Sequence, residues 1–600
     1  MAQEKAEVPV EEAGEPPART KIPYWRIVTD QAGVTPEVAN YQYSGSGTEA
    51  DPFLVQWIPN DPRNPMLFSK ATKWFITMMV SLTTLAVALL SSAYTGGIRQ
   101  IIQEFGISQE VATLGVSLFV LGFAIGPLLW APLSELFGRQ SLFFGTYAVL
   151  TAFNAGCAGA NSATTLIVLR FFAGAFGSSP LANSGGVIAD MFPAAERGLA
   201  MALFAAAPFL GPVLGPIIGG FLGAAAGWRW VMGFLAAFSG TLWLLGTALV
   251  PETYAPYLLR RRAAKLSKMT GKCYVSKIEH EQGKISLADS FKTALSRPWI
   301  LLFREPIVLL LSLYMAIIYG TLYMLFAAFP IVYQQERGWS QGIGGLAFLG
   351  IMVGMIFAII YTIPENGRYQ RVSEKNGGFA PPETRLRSAM VGGVAVPVGL
   401  FWFAWTNNVS IHWIVSIAAG VPFGFGMVLL FLSIMNYLID SYTIFAASVL
   451  AANSVIRSCF GAAFPLFTSY MYEDLGTNWA SSIPAFLALA CVPFPFLFYK
   501  YGPAIRARCK FAAQSEAFMA RLRQEEDSAS DKEPENTTTT GAVASDTVDS
   551  PTSSDDDSSV HRQSTRRTMS LASTRRKSYD GNPYDIDRVH TRESFGVKRK

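Results

Sequence analysis

Uninterrupted apolar runs, most of them near twenty residues long, fill the sequence between about residues 73 and 500. A helix of about 20 residues crosses the roughly 30 Å hydrocarbon layer of a bilayer, and in lipid its backbone groups can bond only within the protein. The chain of 600 residues is also 51% hydrophobic and only 15% charged. These features exclude a chain of soluble domains and predict an all-α polytopic membrane protein.

Hydropathy, helix breakers and charges together predict twelve membrane-spanning helices. Their approximate bounds are 73–95, 110–132, 141–160, 164–188, 198–222, 229–250, 306–331, 341–363, 388–405, 411–436, 444–469 and 482–500.

The spans divide the chain into two six-helix bundles. We expect an N-terminal tail over residues 1–72, the first bundle over 73–250, a basic loop over 251–305 and the second bundle over 306–500. A C-terminal tail covers 501–600, and its Ser-, Thr- and Asp-rich composition predicts disorder after about residue 511. Matching Gly-x-x-x-Gly pairs in spans two and eight, at Gly122 and Gly350, indicate an internal repeat. In transporters that are built from such repeats, the substrate binds between the two repeats near the midplane of the membrane.

Lysine and arginine placement predicts the orientation. Residues 251–304 carry eleven Lys and Arg and residues 364–387 carry five, whereas the loops of opposite parity carry little beyond Arg99 and Arg337. Basic loops stay cytoplasmic, so both termini are predicted to be cytoplasmic. We expect the protein to be located in the plasma membrane, and the vacuolar membrane is the alternative location. Asn408, in an Asn-Val-Ser sequon on a short outer loop, is a glycosylation candidate.

The loop between spans two and three has the composition of a latch. Glu135 and Arg139 flank a glycine turn, and Asp190 lies near the same end of span four. Charge and helix-dipole contacts there can hold the helix ends of the two halves together on the cytoplasmic side and release them during a conformational cycle. We expect these three residues to act in gating or proton coupling.

Several segments carry a family resemblance. Residues 131–140 resemble the G/A-x-x-x-D/E-R-x-G-R motif of major facilitator transporters but depart from it at Leu136 and Gln140. Span four, from Arg170 to Pro180, is similar to the motif that this family associates with proton coupling. Further similar segments are Gly211–Gly220, Trp228–Trp230, Pro251–Tyr254 and the residues that follow Arg457.

Over about residues 57–510 the set resembles the fungal twelve-span drug/proton antiporters of the major facilitator superfamily. The resemblance implies the major facilitator fold, with 12 transmembrane helices in two pseudo-symmetric six-helix bundles. It also implies proton-driven export, with Arg170 in the proton-coupling motif. It does not specify a substrate.

Span five carries a stripe of small residues in its antiporter-like motif. Glycines recur every four residues from Gly211, and Pro212 and Pro216 each remove a backbone hydrogen bond. Such a face allows close helix packing, and a role in conformational cycling is the other interpretation. The motif residues are Gly211, Pro212, Gly215, Pro216, Gly219 and Gly220.

Two arginines, Arg170 and Arg457, lie inside predicted spans. An arginine at that depth costs at least roughly 2.5 to 3.5 kcal/mol, so it faces a polar interior or is neutralised by carbonyls or an acid. On span eleven Asn453, Arg457, Gly461 and Pro465 share one helix face, which we assign to a substrate cavity.

The charges absent from the spans indicate the substrate class. No Asp or Glu occurs near the middle of any span, and a polyamine would require carboxylates to replace its hydration. We therefore expect an anionic or neutral amphiphilic substrate ahead of a polyamine. Further cavity candidates are Tyr319 and Tyr323 in span seven, Asn183 in span four and Asn436 in span ten.

The sequence predicts no cofactor and no metal site. There is no Gly-x-x-x-x-Gly-Lys-Ser/Thr phosphate loop for ATP, and the four histidines are far apart. The expected partners are a small-molecule substrate, protons and the lipid bilayer, without nucleic acid. Basic sequences before Ser570 and Ser578 make a kinase a candidate partner, and we expect a monomer.

The favoured function is a secondary active transporter that exports small amphiphiles by alternating access. A nutrient importer or facilitator and a receptor-like membrane sensor are the alternatives. No nucleophile, base and orienting residue gather on one loop, which argues against an enzyme.

Overall fold

A computed structural model describes residues 22–530 apart from 194–195, 284–286 and 377–379. Within these residues eleven helical stretches are long and apolar enough to cross a membrane. The helices that form the spans are α1 Lys70–Ala93, α2 Gln109–Phe137, α3 Arg139–Ala158, α4 Ala163–Met191, α5 Arg197–Ala226, α6 Trp228–Leu249, α7 Pro306–Phe329, α8 Leu349–Lys375, α9 Leu386–Thr406, α10 Gly420–Ser441 and a last stretch, Thr443–Arg508.

The last stretch contains two crossings. Its 66 residues would make a straight helix of about 99 Å, roughly three times the thickness of the hydrocarbon layer. Gly476 interrupts it with φ 73° and ψ 162°, a left-handed conformation that favours glycine. Tyr472 Oη and Ser481 Oγ, nine residues apart, then come within 2.8 Å, which requires the chain to turn back. Helices α11 (446–475) and α12 (477–508) are therefore consistent with twelve spans.

Small residues set the contacts inside each half and repeat between the halves. A Cβ at Gly122 of α2 would overlap the backbone of α4, and a Cβ at Gly350 of α8 would overlap the backbone of Ile417, in the short helix Trp413–Ala418 that precedes α10. The two halves meet where α2 packs against α11 and where α5 packs against the beginning of α8. The structure thereby has the two-bundle, all-α architecture expected from the sequence.

Residues 22–69 form an ordered layer at one end of the bundle. Strand β1 (Phe53–Val55) pairs in parallel with β2 (Tyr274–Ser276), which belongs to the segment between α6 and α7. Val38 and Val55 pack with Leu266 of helix Ala255–Thr270 in a shared apolar core. We call the end of the bundle that carries this layer the basic end. The sequence analysis assigned these residues to a tail without further structure.

Buried charges fasten the layer. Arg262 and Asp61, each at most 1% exposed, form an ion pair with an N–O distance of 2.5 Å. Arg63 donates a hydrogen bond to the carbonyl oxygen of Glu252 at 3.0 Å, and burial lowers the pKa of Arg63 to about 10, so it stays charged at neutral pH. Burial acts to raise the pKa of Asp30, but hydrogen bonds from Lys265 and from backbone N–H groups outweigh it and hold that pKa below its ordinary value.

Helix Lys510–Ser530 continues past residue 511, where disorder was expected to begin. The ring of Phe511 packs against Phe445, and the Phe511 N–H donates to Glu305 at 3.0 Å. The remainder of the C-terminal tail, including Ser570 and Ser578, lies outside the described residues.

Candidate substrate site

Arg457 lies buried where four helices from both halves meet. Its guanidinium carbon lies 4.8 Å from the ring centre of Tyr319 on α7 and 5.1 Å from that of Phe431 on α10. Phe209, from α5 of the other half, closes the group with its ring 4.4 Å from that of Phe431. Aromatic faces stabilise a desolvated cation, and three of these four residues come from the C-terminal half.

The guanidinium of Arg457 has donors without partners. The side chain is 8% exposed, yet Nε and Nη1 have no hydrogen-bond acceptor among the described residues. Buried polar groups are nearly always bonded, so unpaired donors on a buried charge indicate a group that a ligand or water completes. The sequence analysis considered carbonyl oxygens or an acidic side chain as the groups that neutralise an arginine in a span, and Arg457 has neither arrangement at these two nitrogens among the described residues.

Asn453, one turn before Arg457 on the same face of α11, also has a buried polar atom without a hydrogen-bond partner among the described residues. Its amide nitrogen donates to Ser312 Oγ of α7 at 3.2 Å, while its Oδ1 has no partner among the described residues. Asn453 thus offers an acceptor beside the unpaired donors of Arg457. The two residues share the stripe that the sequence predicted.

A chain of hydroxyl groups leads from this site to the other half. Tyr319 Oη donates to Tyr323 Oη at 3.4 Å, and Tyr323 Oη lies 2.8 Å from Ser91 Oγ on α1. Because Ser91 Oγ gives its hydrogen to the carbonyl of Ala88, Tyr323 is the donor to Ser91. The hydroxyl of Tyr323 therefore ties α7 to α1 across the interface between the halves.

Every guanidinium nitrogen of Arg170 donates a hydrogen bond. Its three nitrogens donate to the carbonyl oxygens of Gly115, Leu90 and Ser91 at 2.8–3.0 Å, and its exposure is zero. The rings of Tyr94 and Phe119 cover its faces. Arg170 fastens α4 to α1 and α2, and a role in proton coupling stays a proposal.

Helix α5 contacts the second half at both ends of the molecule, through the short helix Gln341–Gly345 at one end and through α8 at the other. Away from the basic end, a Cβ at Gly345 would lie 2.5 Å from the carbonyl oxygen of Pro216, and a cavity of only about 20 Å³ remains between the halves there. At the basic end, a Cβ at Gly198 would lie 2.9 Å from Asn366 Nδ2. These contacts, together with the rings over Arg457, describe a closed conformation.

At the basic end of the first half, the predicted latch residues form a network. Arg139 Nε lies 3.4 Å from Asp190 Oδ2, and Arg139 Nη1 donates to Ser134 Oγ at 2.7 Å. The carbonyl oxygens of Glu135 and Leu136 accept hydrogen bonds from Arg260. The structure thus brings Arg139 and Asp190 together and places Glu135 beside them. These contacts join helix ends at the basic end of the first half, whereas the latch was expected to join the two halves.

Glu252 completes this network, although the sequence analysis did not place it at the site. Fully buried, it accepts hydrogen bonds of 2.9–3.0 Å from the backbone N–H groups of Arg139, Gln140, Thr253 and Tyr254. Two of these donors are the first residues of α3, where a carboxylate is stabilised by the helix dipole. The signal was available, because an acid directly after span six stands where helix ends converge.

One departure from the loop motif, Gln140, and the glycine of that motif, Gly138, have structural explanations. Gln140 donates to the carbonyl oxygens of Val28 and Val250, so the amide binds backbone where a basic residue stands in the motif. Gly138 has φ 87°, and a Cβ there would overlap the carboxylate of Glu252.

The second half repeats the ion pair. Arg385, at the beginning of α9, lies 3.0 Å from Asp440 near the end of α10, as Arg139 at the beginning of α3 pairs with Asp190 near the end of α4. The sequence analysis missed this counterpart. Its signal was the placement of an arginine and an aspartate at equivalent helix ends in both halves.

The small-residue stripe of α5 packs against α1. A Cβ at Gly215 or at Gly219 would overlap residues 92–93, and a Cβ at Gly211 would lie 2.6 Å from Ala88 Cβ. Pro216 has no N–H for the carbonyl of Pro212, and Ser92 Oγ donates to that carbonyl at 2.8 Å instead. Gly220, on another face, meets Gln341, the first residue of the short helix Gln341–Gly345 that precedes α8.

The remaining predicted residues lie on α4, on α10 and in the turn after α9. Asn183 is buried on α4 and donates to Ser179 Oγ at 3.4 Å, with an unpaired Oδ1 among the described residues. Asn436 is half-buried on α10, five residues beyond Phe431. Asn408 is exposed in the turn between α9 and helix Trp413–Ala418, where Arg337 binds the backbone.

A fold of two six-helix halves with a polar, arginine-containing site at their junction defines a membrane transporter of the major facilitator type. The family model described as Major Facilitator Superfamily matches residues 80–465, and the chain belongs to that superfamily.

Curated relatives match almost the whole chain. The Major facilitator superfamily multidrug transporter mdrA of Aspergillus fumigatus is 66% identical over 588 residues, covering 96% of this chain and 97% of the relative. The MFS-type efflux pump MFS2 of Trichophyton rubrum is 66% identical over 578 residues, covering 96% of each chain. The solved structure of the proton:xylose symporter XylE is 15% identical with a TM-score of 0.52, covers 72% of this chain and 96% of that one, and supports the fold alone.

Proposed function

We propose that this chain exports small amphiphilic compounds by alternating access and that Arg457 recognises an anionic or electron-rich polar group on them. Its relatives at 66% identity are named as a multidrug transporter and an efflux pump, which supports export by this chain. The observation that carries the substrate class is the buried guanidinium of Arg457 with two unpaired nitrogens.

The surroundings of Arg457 favour a planar amphiphile. The rings of Tyr319, Phe431 and Phe209 supply apolar area, while Arg457 donors and the Asn453 acceptor supply directional bonds. Such a combination suits ligands that bury mostly apolar surface around a few fixed polar groups. An organic acid, an azole-like drug or a secondary metabolite fits this chemistry better than a polyamine, because a polyamine would bring further positive charge to an unpaired cation.

We place the basic end in the cytoplasm. The loops there carry the lysine and arginine excess that stays on the cytoplasmic side. Asn408, exposed at the other end, is then available for glycosylation, and a glycosidase-sensitive mass shift that Asn408→Gln removes would check this orientation. The plasma membrane is the proposed location, because a compound exported there leaves the cell.

Proton antiport is the proposed driving force. Arg457 and Arg170 cannot serve as proton carriers, since a guanidinium does not release its proton under these conditions. Asp190 and Glu135 at the basic end are the proposed titrating groups, with Arg139 held against Asp190 as a latch. A monomer and regulation by a kinase at the tail also remain proposals.

Transport by the purified chain in vesicles tests the function. Full-length protein would be reconstituted with an organic anion inside, and the external pH would be lowered rapidly. Efflux of the compound faster than without the pH jump supports proton antiport, and a protonophore should abolish the difference. Efflux that ignores the pH gradient but requires the protein would leave export standing and overturn the coupling, whereas no efflux of any amphiphile would overturn the function.

A further inference from the structure

A cleft on the outside of the second half lies apart from the candidate substrate site. It has a volume of about 350 Å³ and lies between α8 and α9 near the basic end. Tyr361, Glu365 and Arg368 line it from one face of α8, and Arg387, Val391 and Val394 line it from one face of α9. Spacings of three and four residues place each set on a single helix stripe.

The polar and apolar parts of the cleft lie at different depths. The hydropathy of α8 predicts that the membrane-spanning part ends near residue 363, so Arg368 stands about five residues, or roughly 7.5 Å, beyond it. Arg387 lies just before the predicted span at 388, whereas Val391 and Val394 lie inside that span. The arginines therefore lie at the level of lipid headgroups and the valines at the level of acyl chains.

The charge of the cleft suits an anion. Arg387 is exposed and makes no ion pair or hydrogen bond among the described residues. Arg368 pairs with Glu365 on its own helix, which leaves the cleft with a net charge of one positive unit from these three groups. The guanidinium of Arg368 has five N–H donors, so it retains donors for a second acceptor.

The apolar wall of the cleft faces lipid. Val391 is 43% exposed, Val394 48% and Phe496 of α12 44%, although all three belong to membrane-spanning helices. Apolar side chains at such positions contact acyl chains, which a soluble phosphate compound does not possess. A ligand that satisfies both parts of the cleft has an anionic head and a hydrocarbon tail.

We propose that this cleft binds an anionic phospholipid, with the phosphate between Arg368 and Arg387 and an acyl chain along Val391, Val394 and Phe496. Basic pockets between membrane helices on the cytoplasmic side recognise anionic headgroups in this way. The site is independent of the transported substrate, because it lies on the lipid-facing surface. If the basic end is cytoplasmic, as proposed, the cleft opens to the leaflet richer in anionic lipid.

Photo-crosslinking in vesicles tests the site. Full-length protein would be reconstituted in phosphatidylcholine vesicles that contain a photoactivatable phosphatidylserine or, separately, a photoactivatable phosphatidylcholine. Phosphatidylserine should label peptides of α8 and α9 preferentially. Each of Arg368→Gln and Arg387→Gln should lower that labelling about fivefold, the loss that ~1 kcal/mol per basic residue near an anionic surface predicts. Both leaflets carry the probe, so the result does not depend on orientation.

Arg371→Gln is the matched control, since this arginine lies on α8 one turn beyond Arg368 and does not line the cleft. It should leave labelling unchanged, and all variants should melt at the same temperature in phosphatidylcholine. Equal labelling by both lipids, or unchanged labelling in the double variant, would overturn the proposal. Displacement of the probe by soluble glycerophosphoserine or inorganic phosphate would also overturn it, in favour of a water-soluble anion.

Discussion

At the scale of single residues, Arg170 and Arg457 carry the same charge into the membrane and meet opposite surroundings. Carbonyl oxygens occupy all three nitrogens of Arg170, whereas two nitrogens of Arg457 have no acceptor among the described residues. The first arrangement stabilises the fold, and we propose that the second leaves hydrogen-bonding capacity for another molecule. The sequence could show that both arginines need a polar environment, but only the packing of neighbouring helices distinguishes the two environments.

The Tyr323–Ser91 hydrogen bond gives a prediction at this scale. The bond joins α7 of the second half to α1 of the first half. Loss of either hydroxyl should therefore let the two halves separate more often at the end of the molecule opposite the basic end. With Thr95→Cys as a reporter in the small cavity there, Tyr323→Phe and Ser91→Ala should each raise the rate of labelling by a membrane-impermeant maleimide. The expected increase is about threefold to eighteenfold, the range for interhelical hydrogen bonds of about 0.6 to 1.7 kcal/mol.

The double variant should exceed neither single variant by much, since both changes remove one bond. Tyr333→Phe is the control, because Tyr333 bonds to Ser416 within the second half. Additive effects of the two substitutions would show that the hydroxyls act separately and would contradict the assignment.

At the scale of elements, close contacts between helices depend on glycines and other small residues, which let two backbones approach. The stripe on α5 could be predicted as a packing face from its spacing of four residues, and Gly211, Gly215 and Gly219 do pack closely on α1. Its partner could not be predicted, because the sequence carries no record of which helix lies opposite. The layer formed by residues 22–69 was also missed, since its short apolar patches are buried only together with helix Ala255–Thr270.

Gly219→Ala should lower the thermal stability of the protein. The new Cβ would overlap the backbone carbonyl of Ala93, which cannot rotate away, and overpacking of this kind costs about 1 to 3 kcal/mol. Gly233→Ala on α6 is the matched control, because a Cβ there has nothing within 4 Å. Melting curves of the two detergent-solubilised variants would compare them, and equal melting temperatures would refute close packing at Gly219.

Asp61→Asn should release the layer at the basic end. Without its carboxylate partner the charge of Arg262 stays buried and unpaired, a loss of about 3 to 5 kcal/mol. Limited proteolysis should then cleave within residues 22–69 far faster than in the wild type. Asp51→Asn, at an exposed position of the same layer, serves as the control. Unchanged protection in the Asp61 variant would mean that the apolar core holds the layer alone.

The lowered pKa of Asp30 predicts that the stability of the same layer depends on pH. Because its pKa in the folded protein is lowered, its contribution to stability is present above the ordinary value of 3.8 and is lost as the pH falls through the lowered folded value. The melting temperature of the wild type should exceed that of Asp30→Asn at neutral pH, and the difference should shrink in acid below about pH 3.8. A difference that persists in strong acid would exclude the carboxylate as its source.

At the scale of the whole molecule, the two pseudo-symmetric halves meet around the guanidinium of Arg457, two nitrogens of which have no acceptor among the described residues. The two-bundle, all-α layout could be predicted, because apolar length and basic loops record how a chain meets a bilayer, and the structure is consistent with the predicted twelve spans. The clustering of Tyr319, Phe431 and Phe209 about Arg457 could not, since these residues come from three helices whose relative rotation is set by packing. Alternation between open states must separate Phe209 from Phe431 and so uncover Arg457.

Substrate discrimination at Arg457 is the most direct measurement. Proteoliposomes with the wild type, with Arg457→Gln and with the exposed-arginine control Arg99→Gln would be assayed side by side for an organic anion, a neutral azole and spermidine. We predict that the wild type prefers the anion or the azole. Arg457→Gln should slow anion transport about tenfold to a hundredfold, as expected for a lost charged hydrogen bond, while the control keeps the wild-type rate. Preferred transport of spermidine, or anion transport by Arg457→Gln at the wild-type rate, would contradict the account.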